Sequence, residues 1–400
     1  MGGDKALTND LQTAPDRQYA LALGYLKAFI ILLVVLHHAA CAYLPLIVPT
    51  TPASSLVEHM HSLRAISPVS DQQRSFFFLL VTSFNDKFFM SLMFFISGLF
   101  VWNSLRAKGS RLFLRDRFVR LGLPFLVMAA LGPLTYYTSY LQSGGSEGLP
   151  GFWRQWTSLK DWPDGPAWFI CVLLAFDIIV VPLAALMAKA MASLYKAGAA
   201  VGRRPILLFT FLFLISAIAY LPMASLYNPY WSWWSWGPFK FQTSRIFLYL
   251  AYFLIGALLG AAGIERTCLT RGSSLARLWA IWAVVALFAF VISLGAGRPG
   301  TNPILAGGAL LFSCAASCLA FLALFLRFAR KRRRVFDSLS SNSYGVFVIH
   351  YVVVAWLLYA MLKTPLPALA KGFIVFLCAL LLCWGSIAAI RRIPGVARVI

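Results

Sequence analysis

Long apolar stretches separated by short polar connections recur along the whole chain. About 20 apolar residues, each rising about 1.5 Å in a helix, match a hydrocarbon core about 30 Å thick. The pattern therefore predicts an all-α fold, a polytopic membrane helical bundle with about ten transmembrane helices. The predicted spans are residues 21–44, 88–102, 121–141, 166–187, 206–223, 245–262, 275–294, 303–328, 344–362 and 366–390.

The polar triplet Asn85-Asp86-Lys87 interrupts the apolar sequence just before the second span. We expect it to break the helix, so that residues 76–84 form a short separate helix at the membrane surface. Residues 1–20 and 391–400 are expected to be short cytoplasmic tails that flank one membrane domain, 21–390. Because residues 1–20 lack the apolar core of a cleavable signal peptide, the first span is expected to be retained.

The composition excludes a water-soluble domain, since 60% of the 400 residues are hydrophobic and only 12% are charged. In a soluble protein the formal net charge of +22 would suggest a nucleic-acid partner. Here Lys and Arg instead concentrate in alternate connections, above all in 106–120 and 330–334, as the positive-inside rule predicts for cytoplasmic loops. We therefore place both termini in the cytoplasm, and expect membrane lipids but no nucleic acid as partners.

The first span carries two adjacent histidines. His38 follows Lys27 by eleven positions, so at about 100° per residue the two side chains fall on one helical face. An ionisable group in the membrane is usually paired or lines a wet cavity, because exposing it to lipid costs about 2–3 kcal/mol or more. His38, which is too deep to reach the surface, is the first candidate for chemistry. The alternative is a hydrogen bond to a neighbouring helix.

Other ionisable side chains fall inside predicted spans. Asp86, near the outer end of the second span, can orient or charge-stabilise an imidazole, or it can form an ion pair with Lys87. His350 places a second histidine at about mid-membrane depth, where a structural hydrogen bond explains it equally well. Asp177 lies in the middle of the fourth span, where hydrogen bonding between helices is the leading explanation.

Arginines and apolar residues alternate in the segment 106–120, which leads into the third span. As a helix, the segment places Arg117 and Arg120 on adjacent turns of one face. Guanidinium groups match phosphate oxygens in charge and geometry, so the segment can cradle a phosphorylated cofactor on the cytoplasmic side. The alternative is charge that sets the topology and contacts anionic lipids.

Tryptophans cluster in the predicted outer connection 226–242, which contains Trp231, Trp233, Trp234 and Trp236. Indole rings can stack on the C–H faces of sugars and donate their N–H to hydroxyls, so the cluster can hold a glycan. The alternative is an interfacial aromatic belt, which needs no ligand. The seven scattered cysteines form no CxxC pair, which argues against a metal site or a disulfide framework.

Five landmarks occur in order along the chain. They are the spacing of Lys27 and His38, FFISG at 94–98, RDRFVRLGLP at 115–124, GPAWF at 165–169 and SYGVFVIH at 343–350. With these landmarks the sequence resembles the acyltransferase-3 membrane family, whose members transfer acyl groups, commonly from acyl-CoA, to hydroxyls of exported carbohydrates. It loosely resembles the branch that includes the glucan-modifying C-type proteins, which attach succinyl groups to periplasmic glucans.

The resemblance implies roles for individual residues. His38 takes the role of the essential histidine, and Lys27 stands where the family usually has arginine, so the charge is kept but the bidentate fork is lost. Trp168 is retained in GPAWF, a variant of a leucine-containing family pattern. The predicted site comprises His38, Asp86 and His350 for catalysis, Lys27, Arg115, Arg117 and Arg120 for acyl-CoA, and Trp168, Trp231, Trp233 and Trp234 for the acceptor, with no metal.

These features together predict a bacterial inner-membrane O-acyltransferase that uses acyl-CoA as a co-substrate and has no tightly bound cofactor. A neutral imidazole, with an ordinary pKa of about 6.5, can take the proton of a sugar hydroxyl as the acyl carbonyl is attacked. His350, Ser97 or a backbone N–H can stabilise the oxyanion. The main alternative is a proton-coupled transporter of a lipid-linked or acylated sugar, because intramembrane His and Asp also form proton relays. A third possibility is a non-catalytic membrane partner that presents the tryptophan-rich loop.

Overall fold

Helices make up most of the described part of the chain, which also contains one small hairpin. The structure is a computed structural model that describes residues 18–45, 67–159, 162–163, 165–227, 232–298 and 300–400. The predicted tail 1–20 falls outside the described residues except for its last three, which begin the first helix. In chain order the elements are α1 (Gln18–Cys41), α2 (Phe76–Arg117), α3 (Leu123–Gln142), α4 (Gly148–Ser158), α5 (Ala167–Leu186), α6 (Met191–Arg203), α7 (Pro205–Leu226), β1 (Trp233–Trp236), β2 (Phe239–Gln242), α8 (Ile246–Ala262), α9 (Ser274–Arg277), α10 (Trp279–Ala296), α11 (Pro303–Phe328), α12 (Arg334–Met361), α13 (Ala368–Ile390) and α14 (Val396–Val399).

Each of the predicted spans is helical. Among the described residues, eight helical segments are long and apolar enough to cross a membrane. One of them, Phe76–Gln142, is 67 residues long and contains both the second and the third predicted spans. The sixth predicted span is the shorter apolar helix α8, which has 17 residues. The chain is therefore an integral membrane protein with an all-α, polytopic helical bundle.

The expected helix break at Asn85-Asp86-Lys87 is wrong, because α2 continues through the triplet. The Asn85 side chain donates to the backbone oxygen of Leu33 at 3.5 Å, and Asp86 forms an ion pair with Arg245. Lys87 lines an internal cavity. Since all three polar side chains meet other elements or the cavity instead of lipid, the helix does not need to unwind to expose them to water.

The irregular backbone of α2 lies instead in the basic segment. At Gly109 the backbone leaves the helical region, with φ 73° and ψ 163°. Because this φ is positive, glycine is the residue that adopts it without strain. A π-helical turn, Phe118–Gly122, then joins α2 to α3. The basic segment is thus a bent continuation of α2.

Glycines bring α2 and α8 into backbone contact. A Cβ added to Gly98 of α2 would overlap the backbone oxygen of Phe253, and one added to Gly256 of α8 would overlap the backbone oxygen of Phe95. Gly260, four residues after Gly256, makes the same close approach to α2. Small residues at this spacing allow close packing of membrane helices. The contact fixes the position of α8 against the half of α2 that contains the polar triplet.

We predict that Gly256→Val destabilises the protein by about 3 kcal/mol, the upper end of the usual cost of an overpacked core. The valine side chain meets backbone atoms of α2, which cannot move aside as a side chain can. Thermal unfolding in detergent micelles measures the effect. Gly385→Val in α13 is the control, because a Cβ there meets nothing within 4 Å. Equal unfolding temperatures for the two variants would contradict the glycine-mediated contact.

A buried ion pair attaches the loop before α2 to the last long helix. Lys371 Nζ of α13 lies 2.8 Å from Asp71 Oδ2, and both residues are almost fully buried. The backbone N–H of Asp71 also donates to the oxygen of Ala42 at 3.0 Å, just beyond α1. Ser75 then caps α2, where its side chain accepts from the N–H of Phe78. These contacts hold the end of α1 and the starts of α2 and α13 together.

Two connections that were expected to be loops contain regular structure. The connection between α3 and α5 contains the amphipathic helix α4. The tryptophan-rich connection forms an antiparallel hairpin in which Trp233 pairs with Gln242 and Trp236 pairs with Phe239. Gly237 adopts a φ of 55° in the turn. Trp231 lies outside the described residues, so its predicted role has no structural context here.

Candidate active site

A cavity of about 630 Å³ lies between the helices and the hairpin. It receives His37 and His38 from α1, and Asp86 and Lys87 from α2. Its aromatic and polar wall comes from Tyr136, Trp168, Phe169, Trp233, Lys240, Gln242, Tyr249, Phe347 and Tyr351. The cavity thus reaches from the predicted catalytic histidine to the two connections that the charge pattern places outside.

His38 sits among aromatic rings on the inner side of this cavity. Its ring centroid is 4.8 Å from that of Tyr351, with the rings edge to face, and 5.3 Å from that of His350. The ring of His37 is 5.5 Å away. Among the described residues no group hydrogen-bonds the buried Nδ1 of His38. This histidine is therefore held by packing and faces a space large enough for a ligand.

His350 lies behind His38 and does not line the cavity. The ring is fully buried, and Nδ1 is 2.7 Å from the backbone oxygen of Phe347. A carbonyl oxygen only accepts hydrogen bonds, so Nδ1 carries the proton and Nε2 of the neutral ring is an acceptor. Nε2 is buried without a hydrogen-bond partner in the described part of the chain. Neutral His350 therefore cannot donate to an oxyanion through Nε2.

Asp86 forms a bidentate ion pair with Arg245, the residue that precedes α8. The two guanidinium nitrogens lie 2.9 Å and 2.8 Å from the carboxylate oxygens, and one of them also donates to the Asp86 backbone oxygen at 3.1 Å. Arg245 is only 2% exposed, whereas the Asp86 side chain keeps 39% of its surface accessible. The carboxylate is thus oriented by Arg245 and presents its free side to the cavity.

Trp168 and Trp233 form the aromatic side of the cavity. Their ring centroids are 5.8 Å apart, and Trp168 also stacks on Tyr249 at 5.6 Å. The Lys240 ammonium lies 5.4 Å from the centroid of Trp233. Trp234 does not line the cavity; its exposed ring stacks on Phe241. The hairpin register therefore divides neighbouring tryptophans between the cavity and the outer surface.

The predicted cofactor-binding residues lie away from this cavity. Lys27 is half-buried on α1, with Nζ 5.4 Å from the ring centroid of Phe100. Arg115 and Arg120 are exposed, whereas Arg117 is partly buried, with Nε 3.3 Å from Asp177 Oδ2. Arg117 and Arg120 do not share an environment, since the π-helical turn begins between them.

A second cavity, of about 540 Å³, lies at the basic end of the bundle. Its lining includes Tyr25 and Phe29 of α1 together with Arg330, Lys331 and Arg333. At about 100° per residue, the α1 residues that line it point away from the face that carries His38. The body of α1 therefore separates the two cavities.

The structure brings together residues that are distant in the sequence. His38, Asp86, Trp168 and Trp233 line one cavity, and His350 contacts His38 from behind. Arg245 was not predicted from the sequence, although a guanidinium at the start of an apolar span requires a partner, and few intramembrane carboxylates were available. The same is true of Tyr351 and Lys240, for which the sequence holds no signal that distinguishes them from other aromatic or loop residues.

Comparison with models of protein families matches residues 21–388 to the acyltransferase domain Acyl_transf_3. No curated protein and no solved structure matches the chain. The match extends from the first turns of α1 almost to the end of α13 and includes all the residues that line the cavity with His38.

Proposed function

Because the chain belongs to the acyltransferase-3 family, we propose that it transfers an acetyl or succinyl group from acyl-CoA to a hydroxyl of an exported carbohydrate. Family membership supports a membrane acyltransferase in general. The donor, the acceptor, the catalytic histidine and a location in the bacterial inner membrane are parts of the proposal. Acyl-CoA is a co-substrate that arrives from the basic cytoplasmic side, and the carbohydrate arrives from the side of the hairpin and α4.

The observation that carries the proposal is the cavity that His38 shares with Trp168 and Trp233. A titratable imidazole at the inner end and indole rings at the outer end suit a carbohydrate whose hydroxyl must reach a base. Sugar rings stack on indole faces. The volume, about 630 Å³, is within the usual range for a small-ligand site.

In the proposed reaction, neutral His38 accepts the proton of the acceptor hydroxyl as its oxygen attacks the thioester carbonyl carbon. The carbon–sulfur bond then breaks, and the leaving thiolate of CoA takes the proton from the imidazolium. The negative charge on the tetrahedral intermediate requires a hydrogen-bond donor. Since Nε2 of neutral His350 is an acceptor, we assign His350 to positioning His38. Ser97 does not line the cavity, so a backbone N–H stays as the candidate donor.

Asp86 supports this chemistry electrostatically in our proposal. Its carboxylate is held by Arg245 and faces the cavity that contains His37 and His38. A fixed carboxylate in a cavity stabilises a positive charge that forms nearby, such as an imidazolium. We therefore propose that Asp86 stabilises protonated His38.

The donor side of the proposal rests on the basic segment. Arg115 and Arg120 have exposed guanidinium groups at the end of α2, which suit the phosphates of CoA. Arg117 is already engaged by Asp177 and anchors the segment to α5. Lys27, on the same face of α1 as His38, provides a positive charge along the way from the cytoplasmic end to the base.

Purified protein in lipid nanodiscs, mixed with acetyl-CoA or succinyl-CoA and a periplasmic glucan, tests the proposal. We expect CoA thiol to be released and acyl groups to appear on the glucan. Failure to bind or consume either donor would reject it. Sugar flux into proteoliposomes in the absence of acyl-CoA would instead favour the proton-coupled transporter.

We predict that Trp233→Ala raises the KM for the carbohydrate by up to about tenfold, because stacking on an aromatic face contributes about 0.5–1.5 kcal/mol. The KM for acyl-CoA should stay unchanged. Trp234→Ala is a matched control on the same strand, since that ring faces outwards against Phe241. If both variants changed the acceptor KM equally, the assignment of the cavity to the acceptor would be wrong.

A further inference from the structure

The cavity around His38 carries an excess of positive charge. Among the described residues, the lysines and carboxylates in its wall are Asp86, Lys87 and Lys240. The Asp86 carboxylate already has the Arg245 guanidinium as its bidentate counter-ion. Among the described residues, no carboxylate oxygen lies within 4 Å of either lysine ammonium. Within the described residues, the wall therefore has two cations without a carboxylate counter-ion.

Lys87 is the more informative of these cations. It is 7% exposed, lies on a helix that spans the membrane and lines the cavity. In the part of the chain that the structure describes, its ammonium forms neither a hydrogen bond nor an ion pair. A buried charge without a counter-ion is costly, and intramembrane lysines characteristically mark ligand or ion sites. An anion that enters the cavity would remove this cost.

Lys240 is a second cation in the wall of the same cavity, on the side of the hairpin. Its ammonium lies over the ring of Trp233, 5.4 Å from the centroid, and is half-buried on strand β2. A molecule that stacks on Trp233 would therefore have a lysine beside it. Aromatic faces and a nearby cation together suit a sugar or acyl chain that carries a negatively charged substituent.

We infer that the cavity selects a substrate with a carboxylate or phosphate group, which Lys87 and Lys240 bind while His38 acts on the hydroxyl. The inference rests on the proposed function and specifies its substrate class. The anion has two possible sources, the transferred acyl group or the carbohydrate acceptor. A dicarboxylic acyl group would supply it from the donor, and an acidic sugar would supply it from the acceptor.

The donor source is tested by calorimetric binding of acetyl-CoA and succinyl-CoA to the purified protein in nanodiscs. The two probes share the whole CoA moiety, and the succinyl group adds one methylene and one carboxylate, so the lysine variants are needed to isolate the contribution of the charge. If the acyl carboxylate is the anion, wild type binds succinyl-CoA about tenfold more tightly, which corresponds to about 1.4 kcal/mol. Lys87→Met should remove this preference without changing the affinity for acetyl-CoA, whereas Lys87→Arg should keep it.

The acceptor source is tested without any donor, using the tryptophan fluorescence of the cavity. Cellobiose and cellobiouronic acid differ by one carboxylate and are the two probes. If the acceptor carries the anion, wild type prefers cellobiouronic acid about tenfold, and Lys87→Met and Lys240→Met lose that preference. Lys363→Met, at an exposed position outside the cavity, should keep it.

The outcomes separate the inference from the proposed function. A lack of charge preference in both probe pairs overturns the inference, even if acyl transfer to a glucan is observed. A preference that survives Lys87→Met and Lys240→Met overturns it too. A lysine-dependent preference for cellobiouronic acid, in a protein that consumes no acyl-CoA, supports the anion site and rejects the acyltransferase proposal. Thermal unfolding of each variant confirms that it remains folded.

Discussion

Replacing His38 with alanine is expected to lower acyl transfer by about 10²–10⁴-fold, the usual contribution of a general base. The variant loses the group that accepts the hydroxyl proton, while the aromatic walls and the basic segment remain. Because no described residue hydrogen-bonds the buried Nδ1 of His38, the substitution leaves no partner unsatisfied. Membrane insertion, yield and the affinity for acyl-CoA should therefore stay close to wild type. Steady-state transfer rates and calorimetric donor binding measure these effects.

His37→Ala is the matched control for this experiment. His37 is adjacent in the sequence and lines the same cavity, but its ring packs on Phe89 at 5.3 Å, whereas His38 contacts His350 and Tyr351. We expect a milder loss of activity. If His38→Ala kept wild-type activity, or if His37→Ala lost as much as His38→Ala, the assignment of His38 as the base would fail.

Replacing Asp86 with alanine is expected to destabilise the protein by about 3–5 kcal/mol. The substitution removes the carboxylate counter-ion of Arg245, whose guanidinium is 2% exposed and cannot regain water. Arg245→Met should cost less, about 1–2 kcal/mol, because Asp86 is partly exposed to the cavity and Lys87 is next to it. Unfolding in mixed micelles with increasing SDS measures both free energies of unfolding.

The double variant Asp86→Ala with Arg245→Met tests why Asp86→Ala loses stability. It should be at least about 2 kcal/mol more stable than Asp86→Ala alone, because the buried guanidinium that lost its carboxylate is gone as well. Glu147→Ala is a control for a surface pair, since Glu147 and Arg154 are both exposed, and such pairs contribute about 0–1 kcal/mol. Additive effects of the two cavity substitutions would show that the ion pair has no energetic role.

The helical bundle was predictable because bilayer thickness imposes a length on every apolar span. All predicted spans are helices in the structure, and the apolar sequence of α1 was sufficient to identify His38 as a buried ionisable residue. The interruption of α2 was mispredicted at Asn85-Asp86-Lys87. A local pattern cannot reveal that polar side chains will find partners on α1, at the start of α8 and in a cavity.

The site was only partly predictable, because a local sequence pattern does not show which distant residues meet in the fold. Residue chemistry identified His38, Asp86, Trp168 and Trp233 separately, and the structure brings them into one cavity. The sequence also suggested equal roles for Trp233 and Trp234. The register of the hairpin decides between them, because successive residues of a strand face opposite sides.

By itself, the sequence determined that this chain is a helical membrane protein of the acyltransferase-3 family, since span length, charge alternation and short motifs are local properties. Only the tertiary structure decided which charges meet. Contact between α2 and α8, made possible by glycines that admit no side chain, places Arg245 against Asp86. Because Arg245 takes both oxygens of that carboxylate, Lys87 lines the same cavity as His38 with no described carboxylate oxygen within 4 Å of its ammonium, although it follows Asp86 directly in the sequence.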